Sequence, residues 1–267
     1  MTKKKKEKKE SANRLFLSTN RDILFLYLMC IFVARKQQTN KMKKTVLCFA
    51  LLCSAICAQA QTVFVNADVV SSYIWRGSDS GNAAIQPSLG LSWKGLTAYV
   101  WGSTEFRNKN NEIDLSLAYS YKYLTLYANN YFTQTEEEPF KYFKYNAHST
   151  GHTFEVGAGY LLCESFPLSA SWYTTFAGND YRENGKRAWS SYFELSYPFR
   201  VRDVDMNIEA GLTPWEGMYS DKFNVVNIGF SATKELKITS DFTLPVSGKL
   251  IANPYEEQVY FVFGISF

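Results

Sequence analysis

Arg76, Glu105, Glu112 and Asp114 are the residues of this chain whose types and spacing most invite chemistry. Glu112 and Asp114 stand two apart, a spacing that puts both side chains on one face of an extended strand. Arg76 and Glu105 each fall near the end of a neighbouring extended segment. An arginine close to three carboxylates makes either a structural ion network or a charged constriction that sorts solutes. Asp68, Glu155, Glu194 and Glu209 share the same polar parity in their own segments and extend the candidate lining.

The histidines offer a different chemistry. His148 and His152 are the only two. Their spacing would suit one metal ion on a helix, but here it falls at a loop and a strand start, so no metal site is expected. His152 shares its parity with Asn130 on the neighbouring segment, which supplies two parts of a Ser–His–Asn lipid hydrolase. The matching positions beside His152 are Thr150 and Phe154, so the nucleophile is missing. Neither an enzyme nor a cofactor is expected.

The elements that must carry these side chains alternate with period two almost throughout. Val63, Val65, Ala67, Val69, Tyr73 and Trp75 oppose Asn66, Asp68, Ser72 and Arg76. Ile113, Leu115, Leu117, Tyr119 and Tyr121 oppose Glu112, Asp114, Ser116 and Ser120. The pattern predicts strands near 62–76, 83–93, 95–105, 112–122, 123–133, 151–162, 167–177, 188–198, 203–213, 223–233, 237–248 and 256–267. Pro87 and Pro245 fall inside two of them, where each deletes a ladder donor. The connections alternate between long loops and mostly tight turns. An even number of strands with that asymmetry predicts an all-β fold, a transmembrane antiparallel up-and-down β-barrel with both ends on the short-turn, periplasmic side.

Alternation alone does not say which face looks outward, because a soluble barrel hides its apolar face inside. Three features choose. The polar face is Ser, Thr, Gly, Asn and Tyr with scattered carboxylates, and lysines sit mainly in connections. Small residues such as Gly90, Gly157 and Gly211 recur on that face, as a crowded interior requires. Trp75, Trp93, Tyr121, Phe176, Trp189 and Tyr197 gather at strand ends on the apolar face, where interfacial girdles belong.

The two parts of the chain differ in charge. Residues 1–60 hold 13 Lys/Arg and 3 Asp/Glu, and residues 61–267 hold 16 and 22. The basic overall balance therefore belongs to the first part and points to no nucleic-acid partner. Lys43-Lys44, the apolar run 45–57 and Ala58-Gln59-Ala60 have the order of a secretory signal peptide over 42–60. Residues 1–41 are expected to be an over-extended or disordered leader, and 61–267 the barrel. Only Cys163 lies in that mature part, so no disulfide within it is expected.

The chain ends on "QVYFVFGISF", apolar at alternate positions up to Phe267. A last strand that closes a barrel against the first cannot fray, since open edges in lipid leave backbone groups unpaired. The ending also resembles the C-terminal signature of bacterial outer-membrane proteins, which implies reading of Phe267 by the barrel-assembly machinery.

At "VSSYIWRGSDS" (70–80) the chain resembles the TorF-type porin family of outer-membrane proteins. "LTAYVWGSTEF" (96–106) is similar to that family's second hairpin, and "EIDLSLAYSY" (112–121) to the strand that follows. The resemblance covers about the first third of the mature chain. It implies a barrel and a pore, and it supplies no substrate.

The expectation is thus a narrow passive pore for small hydrophilic solutes, embedded in outer-membrane lipid. The alternative is a non-conducting barrel whose outer loops bind a ligand or surface. On the inward parity, Asp205 and Asp241 join the seven carboxylates already named, against Arg76, Lys122 and Lys249, so the lumen should favour cations. Tyr99, Tyr127, Tyr131, Tyr173, Tyr192 and Tyr260 point inward as volume fillers or a sugar-stacking track. Loop 134–150 is an ordinary solvated loop by default, or a lid.

If 42–60 is the signal peptide, the mature chain starts at Gln61. Mass spectrometry of the outer-membrane fraction should then find no peptide from before it. Recovery of "SANRLFLSTNR" from that fraction would overturn the assignment.

Overall fold

The computed structural model describes residues 61–107, 110–135, 139 and 141–267; the proposed leader and signal peptide, 1–60, lie outside the described residues. In chain order the strands are β1 (Thr62–Val70), β2 (Tyr73–Trp75), β3 (Ser78–Gly81), β4 (Ala84–Trp93), β5 (Leu96–Glu105), β6 (Asn111–Tyr121) and β7 (Leu124–Gln134). They continue as β8 (His152–Cys163), β9 (Phe166–Gly178), β10 (Ser191–Val201), β11 (Val204–Thr213), β12 (Asn224–Lys237), β13 (Thr243–Asn253) and β14 (Gln258–Ser266). Twelve of them close into one antiparallel barrel, while β2 and β3 pair only with each other.

The apolar parity faces outward. Val65 is 71% exposed and Phe261 69%, and Leu117, Leu126, Ile208 and Leu250 share that surface. Hydrocarbon is the solvent that such a surface requires, and a closed ladder is the form in which strands can meet it. Short turns gather at one end. Lys94 (φ 48°) and Gly95 (φ 85°) are both left-handed, the geometry that matches a two-residue hairpin to strand twist. Trp93, Tyr121 and Trp189 are exposed near strand ends, as the girdle expectation required.

Several expected boundaries change, and β13 runs on to Asn253, past the expected end at 248. The segment 62–76 is not one strand: β1 stops at Val70 and the chain turns inward. The segment 188–198 begins only at Ser191, after Trp189 adopts a left-handed backbone (φ 54°). The segment 237–248 begins at Thr243, because β12 runs on to Lys237. Asp241 therefore lies in a turn, exposed, and not in the lumen. Lys122 is likewise an exposed turn residue, over the Tyr121 ring at 5.5 Å. Asp205 pairs with Arg200 at 3.2 Å on an exposed rim.

Both awkward prolines fit locally. Pro87 stays opposite Ala67 on β1, while the β4–β5 register is interrupted between Ile85↔Thr104 and Ser88↔Trp101. Pro245 pairs with Glu235 on β12, and the ladder to β14 starts one residue later at Val246. In each case the missing N–H faces a side where little ladder is lost.

The closing seam is short. β1 meets β14 at Asp68↔Ser266, Val69↔Ile265 and Val70↔Gly264. The Phe267 amide donates to the Ala67 carbonyl (2.9 Å), and the Ala67 amide to the Phe267 carbonyl (3.1 Å). At the other end the Ser71 amide donates to the Phe263 carbonyl (2.9 Å), and the Ser71 hydroxyl accepts the Phe263 amide (2.9 Å). That side chain takes over the ladder as the backbone leaves it.

So short a ladder makes its last rung critical. Deleting Phe267, or Phe267→Asp, should sharply reduce the folded, heat-modifiable band on a gel. Glu183→Ala in an exposed loop should leave it unchanged. Equal folded yields would overturn the reading of the seam.

Candidate functional site: an arginine-tipped hairpin in the lumen

β2 and β3 form a hairpin that crosses the barrel interior. Its turn is Arg76-Gly77, with φ of 51° and 88°. Left-handed backbone at both central residues defines the turn type suited to a tight hairpin, although arginine is an unfavourable occupant. Gly77 is required twice over. Its backbone is left-handed, and a Cβ there would lie 1.9 Å from the Val226 carbonyl oxygen. Opposite this tip β12 carries a β-bulge: Gly211 faces Asn227 while Leu212 faces Val225, so Val226 is the extra residue. Val226 turns inward and is fully buried against Tyr192 and Tyr219, with Trp75 packed on the same cluster. The Asn253 side-chain amide fixes the tip by donating to the Gly77 carbonyl (3.2 Å).

The turn presents Arg76 to the far wall. Its guanidinium donates to Glu155 on β8 through both ends, at 2.6 and 3.0 Å, and to the Tyr219 hydroxyl at 2.5 Å. Its centre lies 4.4 Å from the Tyr173 ring centroid, 4.5 Å from that of Trp75 and 4.7 Å from that of Tyr192. Glu155 is 1% exposed and also accepts from the Tyr131 hydroxyl (2.8 Å) and the Asn129 amide (3.3 Å). A planar guanidinium suits a bidentate carboxylate and flat aromatic faces at once. Gly157 and Gly211 leave the room for the tyrosines, since a Cβ on either would lie within 2.4 Å of a Tyr173 or Tyr192 atom.

The expected cluster at the mouth is therefore corrected. Arg76 does not stand on the wall near Glu105, Glu112 and Asp114; its partner is Glu155. Glu105 braces the hairpin base, accepting from the Asn82 amide (3.1 Å) and the Asn110 side chain (3.3 Å). Glu112 and Asp114 stand on β6. The Tyr73 hydroxyl bonds Glu112, and its ring packs on Trp101 at 5.3 Å. Asp114 is 7% exposed, with one carboxylate oxygen lacking a partner among the described residues. Tyr73 and Trp75, expected to face lipid, both lie inside. Asp68 sits half-buried on β1 opposite Gln86.

Beside the hairpin is a cavity of about 350 Å³. Of the six inward tyrosines, Tyr99, Tyr127, Tyr131, Tyr173 and Tyr192 line it. Tyr260 does not; its hydroxyl donates to Glu256 at 3.3 Å. Glu194 and Glu209 also line it. Lys249 pairs with Glu209 at 3.2 Å, and Glu194 accepts from the Tyr192 hydroxyl at 2.7 Å. Sequence reasoning missed Tyr219, which lies in a loop without periodicity. It also missed Asn227, although the doublet Val225-Val226 breaks the alternation and marks the bulge.

His152 and Asn130 do meet, the Asn130 side-chain amide donating to Nδ1 at 3.0 Å. His152 Nε2 lies 2.5 Å from the Tyr142 carbonyl oxygen, which only accepts, so this nitrogen carries the proton and is no base. Tyr145 stacks on the ring at 4.6 Å. Thus His152 ties the described part of loop 134–150 to outward-facing side chains, which is not the position of an inward lid.

By sequence, no protein-family model and no curated protein matches the chain. Among solved structures it is similar to the NanC porin, at 10% identity and a TM-score of 0.44, over 77% of this chain and 98% of that one. The KdgM porin is similar at 7% identity and a TM-score of 0.41, over 78% and 98%. A mutant porin of Rh. blastica is similar at 11% identity and 0.35, over 77% and 73%.

Breaking one side of a buried ion pair leaves the other charge unsatisfied. Arg76→Gln and Glu155→Gln should each destabilise the folded barrel by roughly 3–5 kcal/mol in urea unfolding. The double variant should lose clearly less than the sum. Additive losses would show that the two side chains are not coupled.

Proposed function

We propose that the chain is an outer-membrane barrel that passes small hydrophilic solutes, cations before anions, through a lumen narrowed by the Tyr73–Gly81 hairpin. In its motifs the chain resembles the TorF-type porins. The observation that carries the reading is the charge balance inside the wall. Asp68, Glu105, Glu112, Asp114, Glu155, Glu194 and Glu209 remain on the inward parity, against Arg76 and Lys249. Both cations are paired, with Glu155 and Glu209, and the other carboxylates have no ion-pair partner among the described residues. Low-dielectric walls focus the field of such an excess along the path. The hairpin itself favours a second reading, in which the lumen stays shut and the outer loops do the binding. Phe143, 86% exposed, is the kind of aromatic such loops would use.

Conductance in a planar bilayer separates the two. Under a KCl gradient the reversal potential should show cation preference. The preference should be stronger near 0.01 M salt than near 0.1 M, where the Debye length falls from about 30 to about 10 Å. Arg76→Gln should raise both conductance and cation preference, since it frees the hairpin and removes a positive charge. Anion preference would overturn the lumen assignment. Absence of current from both the native chain and Arg76→Gln would favour the loop-binding reading.

A further inference from the structure

We propose that the cavity beside the hairpin is a binding site for a small organic monocation, a primary amine or guanidinium on a short stem, anchored by Glu194. This rests on the reading of the lumen as a solute path and names the solute class. The charged groups at the cavity are Arg76, Lys249, Glu194 and Glu209. Two pairs cancel, Arg76 with Glu155 and Lys249 with Glu209. Glu194 is left without a cation among the described residues, holding only the Tyr192 hydroxyl.

A lone carboxylate would not by itself make a site. The second observation is Asn227, which lines the cavity, is 2% exposed, and has a carbonyl oxygen that accepts nothing among the described residues. Its orientation is fixed by its other end, which donates to the Tyr192 hydroxyl at 3.1 Å and to Glu209 at 3.1 Å. Glu194 and Asn227 are thus both bonded to the Tyr192 hydroxyl and lie close together. An ammonium brings several donors and no acceptor, which is the complement of this pair. Five tyrosines and Trp75 make up most of the remaining wall, and aromatic faces attract cations. The molecule already shows the affinity of these walls for a guanidinium, since Tyr173 and Tyr192 hold that of Arg76. An anion would meet Glu194 and Glu209 without a free cation to answer it.

The test uses the full chain folded in nonionic detergent and titrated calorimetrically with 4-amino-1-butanol and with 1,4-butanediol, a neutral probe of the same shape. The amine should bind at least about tenfold more tightly, the worth of one charge-assisted hydrogen bond. Glu194→Gln should abolish that preference. Lys249→Gln, which frees Glu209, should strengthen amine binding, and it decides the matter if Glu194→Gln does not fold. Equal binding of the two probes, no binding of either, or amine binding that survives Glu194→Gln would overturn the proposal. Binding needs no current: a barrel that binds the amine without conducting sinks only the pore reading, and one that conducts without binding it sinks only this inference.

Discussion

A guanidinium cannot be held inside a barrel without a carboxylate and enough hydrogen bonds to replace water, and that constraint organises this lumen. Arg76 arrives with Glu155 waiting at 2.6 Å, and the pair is nearly sealed from solvent. Such burial costs each ion several kcal/mol of desolvation, about what the pair regains only when the geometry is good. The surroundings make it good. Glu155 takes further donors from Tyr131 and Asn129, and aromatic faces flank the cation. The bulge at Val226 and the bare backbone of Gly77 then read as consequences, since without them the turn could not reach this depth.

The hairpin takes its residues from the wall. β1 gives up its upper part at Ser71, so β14 is left with a short seam, and the Ser71 hydroxyl stands in for a lost rung. A barrel in lipid tolerates little of this, because unpaired backbone groups have no water to turn to. The same segment therefore sets two things against each other: depth of the hairpin and length of the closing ladder. The Glu105 brace at the hairpin base, with Asn82 and Asn110, steadies the point where the chain returns to the wall as β4.

Most of the barrel was legible in the sequence because one physical rule governs it. Lipid on one side and a polar lumen on the other impose period two, and β4 to β9 follow that rule nearly residue for residue. The hairpin was not legible from the same rule. Tyr73 and Trp75 keep the alternation of β1, so periodicity runs straight through the bend. What marks it is local chemistry: the Ser71-Ser72 break and the Arg76-Gly77 turn pair. Glu155 as the partner of Arg76 lay further out of reach. Its parity was readable, but which carboxylate an inward-folded loop meets depends on closure of the whole barrel. Asp205 and Asp241 failed for the opposite reason. Their parity was right for a strand, but one sits on the exposed rim and the other in a turn.

The pair that anchors the hairpin also shapes the field around it. By neutralising Glu155, Arg76 leaves the carboxylates without an ion-pair partner at several separate places. Glu112 lies by Tyr73, Glu105 at the hairpin base, and Glu194 on the tyrosine-lined cavity. On that proposed reading, a solute moving past the hairpin would meet Glu194 at a point where the walls are aromatic and the positive charges are already engaged. Attraction there is strongest for a charge that brings its own donors, and weakest for one that would need Arg76 or Lys249 to let go first. In the proposed pore, selectivity would then be set less by the number of acidic residues than by which of them the hairpin leaves unanswered.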